Sequence, residues 1–236
     1  PLERVHDHHM SWAQWFGDKA VPGVLRNKWF ERRHLQHQIQ RWNRDHSAEL
    51  QQAWMNGSGM MVWENVFGAW NGWNPRDRAT LRAMLPIQRR FRALFCGEGW
   101  TPLVPTRHPE VFASLWQDGR ARLWTLVNRS KRPIQGDLLE IALRPGERLC
   151  DLGTGAALES GRGHLSLPAR GIGCLLAAAP DSLGRDFSRF LTAQARQHRA
   201  ADFDSNAFPE RRTRLASPPT SKAAKQTPGD MALIPA

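Results

Sequence analysis

Between residues 100 and 179 the chain repeats one pattern, a short apolar run followed by a breaker. The runs are VFASLW at 111–116, ARLWTLVN at 121–128, LLEIAL at 138–143, RLCDL at 148–152, HLSLP at 164–168 and IGCLLAA at 172–178. Asp118-Gly119, Pro133, Gly136-Asp137, Pro145-Gly146 and Gly161 to Gly163 fall between most of them. Glycine admits backbone conformations that other residues avoid, and proline removes a donor, so such positions stop a helix from extending. Runs this short at this spacing predict a small antiparallel β-sandwich over 98–179. The longest uninterrupted apolar stretch, GIGCLLAAA at 171–179, is far below the ~20 residues that span a bilayer.

The preceding part, residues 1–97, is of another kind. Eight of the eleven Trp lie between Trp12 and Trp73. Leu35, Ile39 and Trp42 fall at i, i+4 and i+7 and predict a helix over 31–48. Asn74-Pro75-Arg76-Asp77 is a helix start, with Asn as N-cap, Pro at N1 and Asp at N3. Leu81, Met84, Leu85 and Phe91 then face inward over 76–95, and Pro86 is expected to kink or split that helix. Extended candidates lie at 24–30, 50–55 and 60–67. Strands alternating with helices predict βα units and a parallel sheet. The fold class is therefore α/β plus all-β. A helical extension follows at 180–208, where 182–199 places Leu183, Phe187, Phe190 and Leu191 on one side. Residues 209–236 read as a linker rich in Pro, Ser, Thr and charge, disordered over 209–230, ending on the apolar stub MALIPA.

Charge and cysteine exclude more than they assign. The formal net charge is +11, yet Arg outnumbers Lys 28 to 5 and there is no Tyr, a skew of composition as much as of phosphate binding. Basic residues cluster at 76–92 and 120–132, but no nucleic-acid module accompanies them, so specific nucleic-acid binding is not expected. Cys96, Cys150 and Cys174 are widely spaced and read as buried free thiols, although one pair could form. His6, His8, His9, His34 and His37 cluster without an H-E-x-x-H or a nearby Cys, so no metal site is expected. CDLGTGAA at 150–157 imitates a nucleotide-cofactor loop but is followed by strand-like sequence, which predicts a β-hairpin and no cofactor. Asn56-Gly57-Ser58 and Asn128-Arg129-Ser130 match glycosylation sequons. PLERVHDHHM has neither the basic-then-apolar order of a signal peptide nor an initiator Met, so the chain is expected to be a fragment.

The stretch NGSGMMVWENVFGAWNGWNPRD at 56–77 carries the chemistry. Sugars present apolar C–H faces and many hydroxyls, so their sites pair flat aromatic rings with Asn, Asp and Glu. Trp63, Trp70 and Trp73 would form the platform, with Asn56, Asn65 and Asn71 binding hydroxyls. Glu64 follows an apolar run and is the candidate general acid or nucleophile, because carboxylates at the carboxyl end of barrel strands do glycosidase chemistry. The two-acid mechanism needs a partner, for which Asp18 is the candidate; Glu31 and Trp15 complete the set. The competing reading makes the Trp core fillers and the acids local salt-bridge partners.

At WAQWFGDK, NKWFERRH, LQQAWMNGSGMMVWENVFGAWNGWNPRD and LPIQRRF the chain resembles a group of bacterial multidomain proteins. In these a glycoside-hydrolase-like TIM barrel is followed by a β-sandwich, a linker and a formylglycine-generating (sulfatase-modifying factor) domain. LWTLVNRS, RLCDLGTGAAL and HLSLPARGIGCLLA echo the sandwich, and GDMALIPA resembles the opening strand of the last domain. The resemblance spans most of 10–180, with one departure: CDLGTGAAL lacks the aromatic residue and His expected near its Asp-Leu. It implies a partial (β/α) barrel at 1–97, since a whole barrel takes ~250 residues. It further implies a carbohydrate substrate, hydrolysis of a glycosidic bond, covalently linked neighbouring domains and no membrane. The alternative is a non-catalytic carbohydrate-binding or scaffolding module.

Overall fold

The computed structural model describes residues 11–13, 19–24, 35–38, 44–61, 72–158 and 161–208, with 215, 217, 229 and 232 singly. In chain order these form β1 (Ser11–Ala13), β2 (Leu35–Gln38), α1 (Ser47–Met55), β3 (Gly59–Met61), α2 (Pro75–Arg90), α3 (Arg92–Phe95), β4 (Trp100–Val104), β5 (Val111–Gln117) and β6 (Ala121–Asn128). There follow β7 (Ile134–Glu140), β8 (Arg148–Asp151), β9 (Ala156–Leu158), β10 (Arg162–Leu167), β11 (Ile172–Ala178) and α4 (Phe187–Arg199).

The architecture mixes helices with antiparallel sheet. Six strands make one sheet in the order β4-β5-β6-β11-β8-β9, every neighbouring pair antiparallel. β7 and β10 form a separate antiparallel pair. Alternation along the central strands explains the layering, because successive side chains point to opposite faces. Leu123 and Val127 of β6 and Cys174 and Leu176 of β11 join a core with Trp54, Met84, Ile87 and Phe95 from the helices. Trp124, Leu126, Leu175 and Ala177 face the other way and pack with Ile134, Leu138, Leu165 and Leu167 of β7 and β10. Both faces are covered, so β6 and β11 are nearly continuous apolar runs.

β1, β2 and β3 form a small parallel sheet in that order. α1 joins β2 to β3 in sequence and is fastened to the six-stranded sheet by polar side chains. Gln51 Nε2 donates to the carbonyls of Asn128 at 2.7 Å and Gly171 at 3.0 Å. Trp54 Nε1 donates to Gly173 O at 2.9 Å, and Ser114 Oγ donates to Met55 O at 2.8 Å. Gly57, just past α1, takes φ +55°, the left-handed conformation that ends helices.

Several expectations are corrected. Residues 50–55 are helical, not extended, because Leu50, Ala53 and Trp54 share one buried side of α1. The expected helix over 31–48 contains the strand β2, whose ladder partners in β1 and β3 outweigh its helical spacing. The strand expected at 138–143 runs over 134–140 and pairs with β10. β4 was not anticipated at all; its burial is intermittent and Pro102 interrupts its apolar character. Pro86 does not split α2. It leaves the Arg82 carbonyl without its helical donor, and Gln197 Nε2 from α4 donates there at 2.7 Å instead. Cys150 and Cys174 are buried free thiols, whereas Cys96 is exposed. Asn128 is fully buried, its Nδ2 donating to the Arg132 and Pro168 carbonyls, so that sequon offers no acceptor nitrogen.

CDLGTGAA forms the β8–β9 hairpin. Asp151 closes its turn by accepting from Gly153 N–H at 2.8 Å and Thr154 Oγ1 at 2.7 Å. Gly155 has φ +73°, and a Cβ there would lie 2.3 Å from the Leu191 carbonyl of α4. No helix among the described residues is long and apolar enough to cross a membrane. Most of the linker and of the terminal stub lies outside the described residues.

Candidate functional site: a polar cluster on two strand-to-helix connections

Parallel strands send their carboxyl ends to one edge of a sheet, where α/β folds gather functional side chains. The connections leaving β2 and β3 run to the starts of α1 and α2, and a cluster of buried polar groups joins those two starts. Asn74 caps α2, its Oδ1 accepting the Asp77 amide at 2.7 Å. Asp77 is 0% exposed, and its Oδ2 accepts the His46 backbone N–H at 2.8 Å and Asn74 Nδ2 at 3.0 Å. Arg76 reaches Asp45 Oδ1 at 2.7 Å and Asp77 Oδ1 at 3.4 Å, linking the two helix starts.

His46 is buried at the start of α1, with Nδ1 2.7 Å from Glu49 Oε2 three residues on. The contact is side chain to side chain; no side-chain hydrogen bond caps the helix, and the His46 N–H is taken by Asp77 instead. The His46 ring lies against Trp73, centroids 4.8 Å apart. Burial pushes the Asp77 carboxyl above the usual carboxylate range, against the His46 amide and Arg76, which favour its charge. Asp45 goes the other way: burial opposes its ionisation, but hydrogen bonds from Ser47 and the Arg76 guanidinium carry it below that range. The two carboxylates that share Arg76 are thus shifted in opposite directions.

Of the residues proposed from sequence, Trp73 and Asn56 are described. Trp73 is 6% exposed and belongs to the core beside His46. Asn56 ends α1, and its Nδ2 donates to the carbonyls of Gly23 at 2.9 Å and Gln52 at 2.8 Å. Trp15, Asp18, Glu31, Trp63, Glu64, Asn65, Trp70 and Asn71 lie outside the described residues. Asp45, His46, Glu49 and Asp77 were not anticipated as a group. The available signal was Glu49 three residues after His46, beside the recognised Asn74-x-x-Asp77 start. No group of His, Cys, Asp or Glu among the described residues could hold a metal ion.

Within the basic runs Arg76, Arg90, Arg122 and Arg129 are buried or half-buried, while the other basic residues are exposed. Arg90 forks onto both oxygens of Asp186 at 2.8 and 2.9 Å and lies over the Phe187 and Phe190 rings. Arg122 pairs with Glu147, and Arg129 Nη1 donates to Gln51 Oε1 at 2.7 Å.

No protein-family model matches the chain, and no curated protein does. Its structural neighbours include glycoside hydrolases. An α-amylase from Geobacillus thermoleovorans aligns at a TM-score of 0.44 and 11% identity, over 62% of this chain and 39% of the enzyme. An Anoxybacillus α-amylase aligns at 0.41 and 11%, over 61% and 38%. A family 30 subfamily 8 xylanase from Clostridium acetobutylicum aligns at 0.37 and 15%, over 61% and 42%. The chain spans about two-fifths of the length of these enzymes.

Proposed function

We propose that the chain is the carboxyl-terminal part of a glycoside-hydrolase-like barrel with its β-sandwich, followed by a linker toward a sulfatase-modifying factor domain. The reaction is hydrolysis of a glycosidic bond, with Glu64 as general acid or nucleophile and Asp18 as second carboxylate. Trp15, Trp63 and Trp70 line the sugar site, and Asn65, Asn71 and Glu31 contribute polar contacts. One observation carries this reading. Asp18 and Glu64 each follow a strand of the parallel sheet, β1 and β3, by a few residues, and the polar cluster joins the starts of α1 and α2 on the same kind of connection. Chemistry in βα folds collects on those connections.

Trp73 is buried in the core and the Asn56 amide is committed to backbone carbonyls, so these two expected sugar contacts are structural instead. The second reading is a non-catalytic carbohydrate-binding or scaffolding module. Glu64→Gln in the longer protein separates them. Loss of reducing-sugar release from polysaccharide, with oligosaccharide binding retained by calorimetry, supports hydrolysis. Unchanged release excludes Glu64 from the mechanism, and sugar binding without any hydrolysis in the wild type supports the binding module.

A further inference from the structure

Between the first turns of α2 and the end of α4 lies a cleft of about 270 Å³, whose walls include Arg78, Ala79, Arg82, Gln197 and Asp202. Two hydrogen bonds fix those walls. At one end the Arg76 amide donates to the Ser205 carbonyl at 2.9 Å. At the other Gln197 Nε2 donates to the Arg82 carbonyl, the acceptor freed by Pro86. Both bonds end on helix backbone, so the cleft is preformed.

Arg78 and Arg82 stand one turn apart on the side of α2 that faces the cleft, and both are exposed. Like charges at this spacing cost ~0.2–0.5 kcal/mol. Elsewhere Arg76, Arg90, Arg107, Arg122 and Arg162 each meet a carboxylate. Among the described residues Arg78 and Arg82 have no carboxylate at ion-pair distance. Asp202, the one acid lining the cleft, has Oδ1 engaged by the amides of Asp204 at 3.1 Å and Ser205 at 2.9 Å. Two guanidiniums against one carboxylate leave the cleft positive.

We propose that this cleft binds a small oxyanion, a sulfate, phosphate or carboxylate group held between Arg78 and Arg82. Guanidinium forks match the paired oxygens of such groups, and a preformed wall lowers the cost of ordering the side chains. The site is independent of the glycosidase reading and stands or falls separately from it.

The test is an NMR titration of the full chain with sodium sulfate, and separately with sodium glucuronate, at ionic strength held constant with chloride. The amides of Ala79 and Ala201 report. Saturable shifts are expected, weakened about tenfold or more in Arg78→Ala and in Arg82→Ala, as for loss of a charged hydrogen bond. Asp202→Asn keeps an oxygen for the two loop amides and should tighten binding by removing the opposing charge. Arg92→Ala, at an exposed position of α3, should change nothing. Tighter sulfate identifies a free inorganic ion as the source, and tighter glucuronate an acidic sugar. Non-saturating shifts with both probes, equal weakening by Arg92→Ala, or weaker binding in Asp202→Asn would each overturn the proposal.

Discussion

β11 and α1 are both buried, and in opposite ways. Along β11 the residues from Cys174 to Ala178 are apolar and at most 1% exposed. In α1 the buried set includes Ser47, Glu49, Gln51 and Gln52 beside Leu50, Ala53 and Trp54. Any apolar neighbour of suitable volume satisfies β11, whereas α1 is stable only where particular carbonyls and charged groups come to meet its side chains. A buried polar group without its partner costs more than a lost contact. The comparison teaches that α1 depends on the six-stranded sheet more specifically than the sheet depends on α1.

The largest effect should come from Trp54→Ala, which removes a fully buried ring and the donor to Gly173 O. A loss of ~3–5 kcal/mol is expected from urea unfolding. Leu175→Ala, in the opposite core, should cost ~2–5 kcal/mol by volume alone. Trp54→Phe sharpens the contrast, since it keeps most of the volume and loses the hydrogen bond. If it is as stable as wild type, polar fastening of α1 is not what holds it.

Gln51→Leu should follow at roughly 1–3 kcal/mol, because it removes a donor from the buried Asn128 and Gly171 carbonyls and an acceptor from the Arg129 guanidinium. Leu176→Met, a volume-conserving change in the strand, should cost under ~1.5 kcal/mol. Equal losses for the two would erase the distinction between polar and apolar burial.

pH gives a smaller handle. Burial raises the Asp151 carboxyl above its ordinary value of 3.8, against hydrogen bonds from Thr154 and Gly153. The folded state therefore holds that proton more tightly than the unfolded state. The group's favourable contribution is fully present below 3.8 and is lost as pH rises through the elevated folded value. Asp151→Asn should be the more stable protein at neutral pH, with the difference shrinking on acidification; thermal unfolding at several pH values measures it. A difference independent of pH would place the effect in packing. The smallest effect is expected at the surface. Arg107→Ala breaks an exposed pair with Glu140 on the β7 side and should cost below ~1 kcal/mol.

Much of the antiparallel part was legible because its signal is local. Alternation and breakers located β5, β6, β8, β10 and β11 to within a few residues, and Asn74-Pro75-Arg76-Asp77 marked the start of α2. The hairpin at CDLGTGAA followed from the absence of a helical pattern after it. The candidate site was less legible. Tryptophan and Asn drew attention to 56–77, but the group formed by Asp45, His46, Glu49 and Asp77 depends on two helix starts far apart in sequence.

What the sequence determined by itself, then, was wherever a residue's own neighbours fix its conformation: turn glycines, the α2 cap, the period-two strands. Only the tertiary structure decided that 50–55 is a helix, that Asn128 is sealed from solvent, and that Arg90 spends its charge on Asp186. It also decided that Pro86 makes an acceptor for Gln197. In each case a partner lies at least 39 positions away, as Leu167 does for Asn128 beside the local Arg132 carbonyl, and no local pattern encodes where a distant carbonyl or carboxylate will arrive.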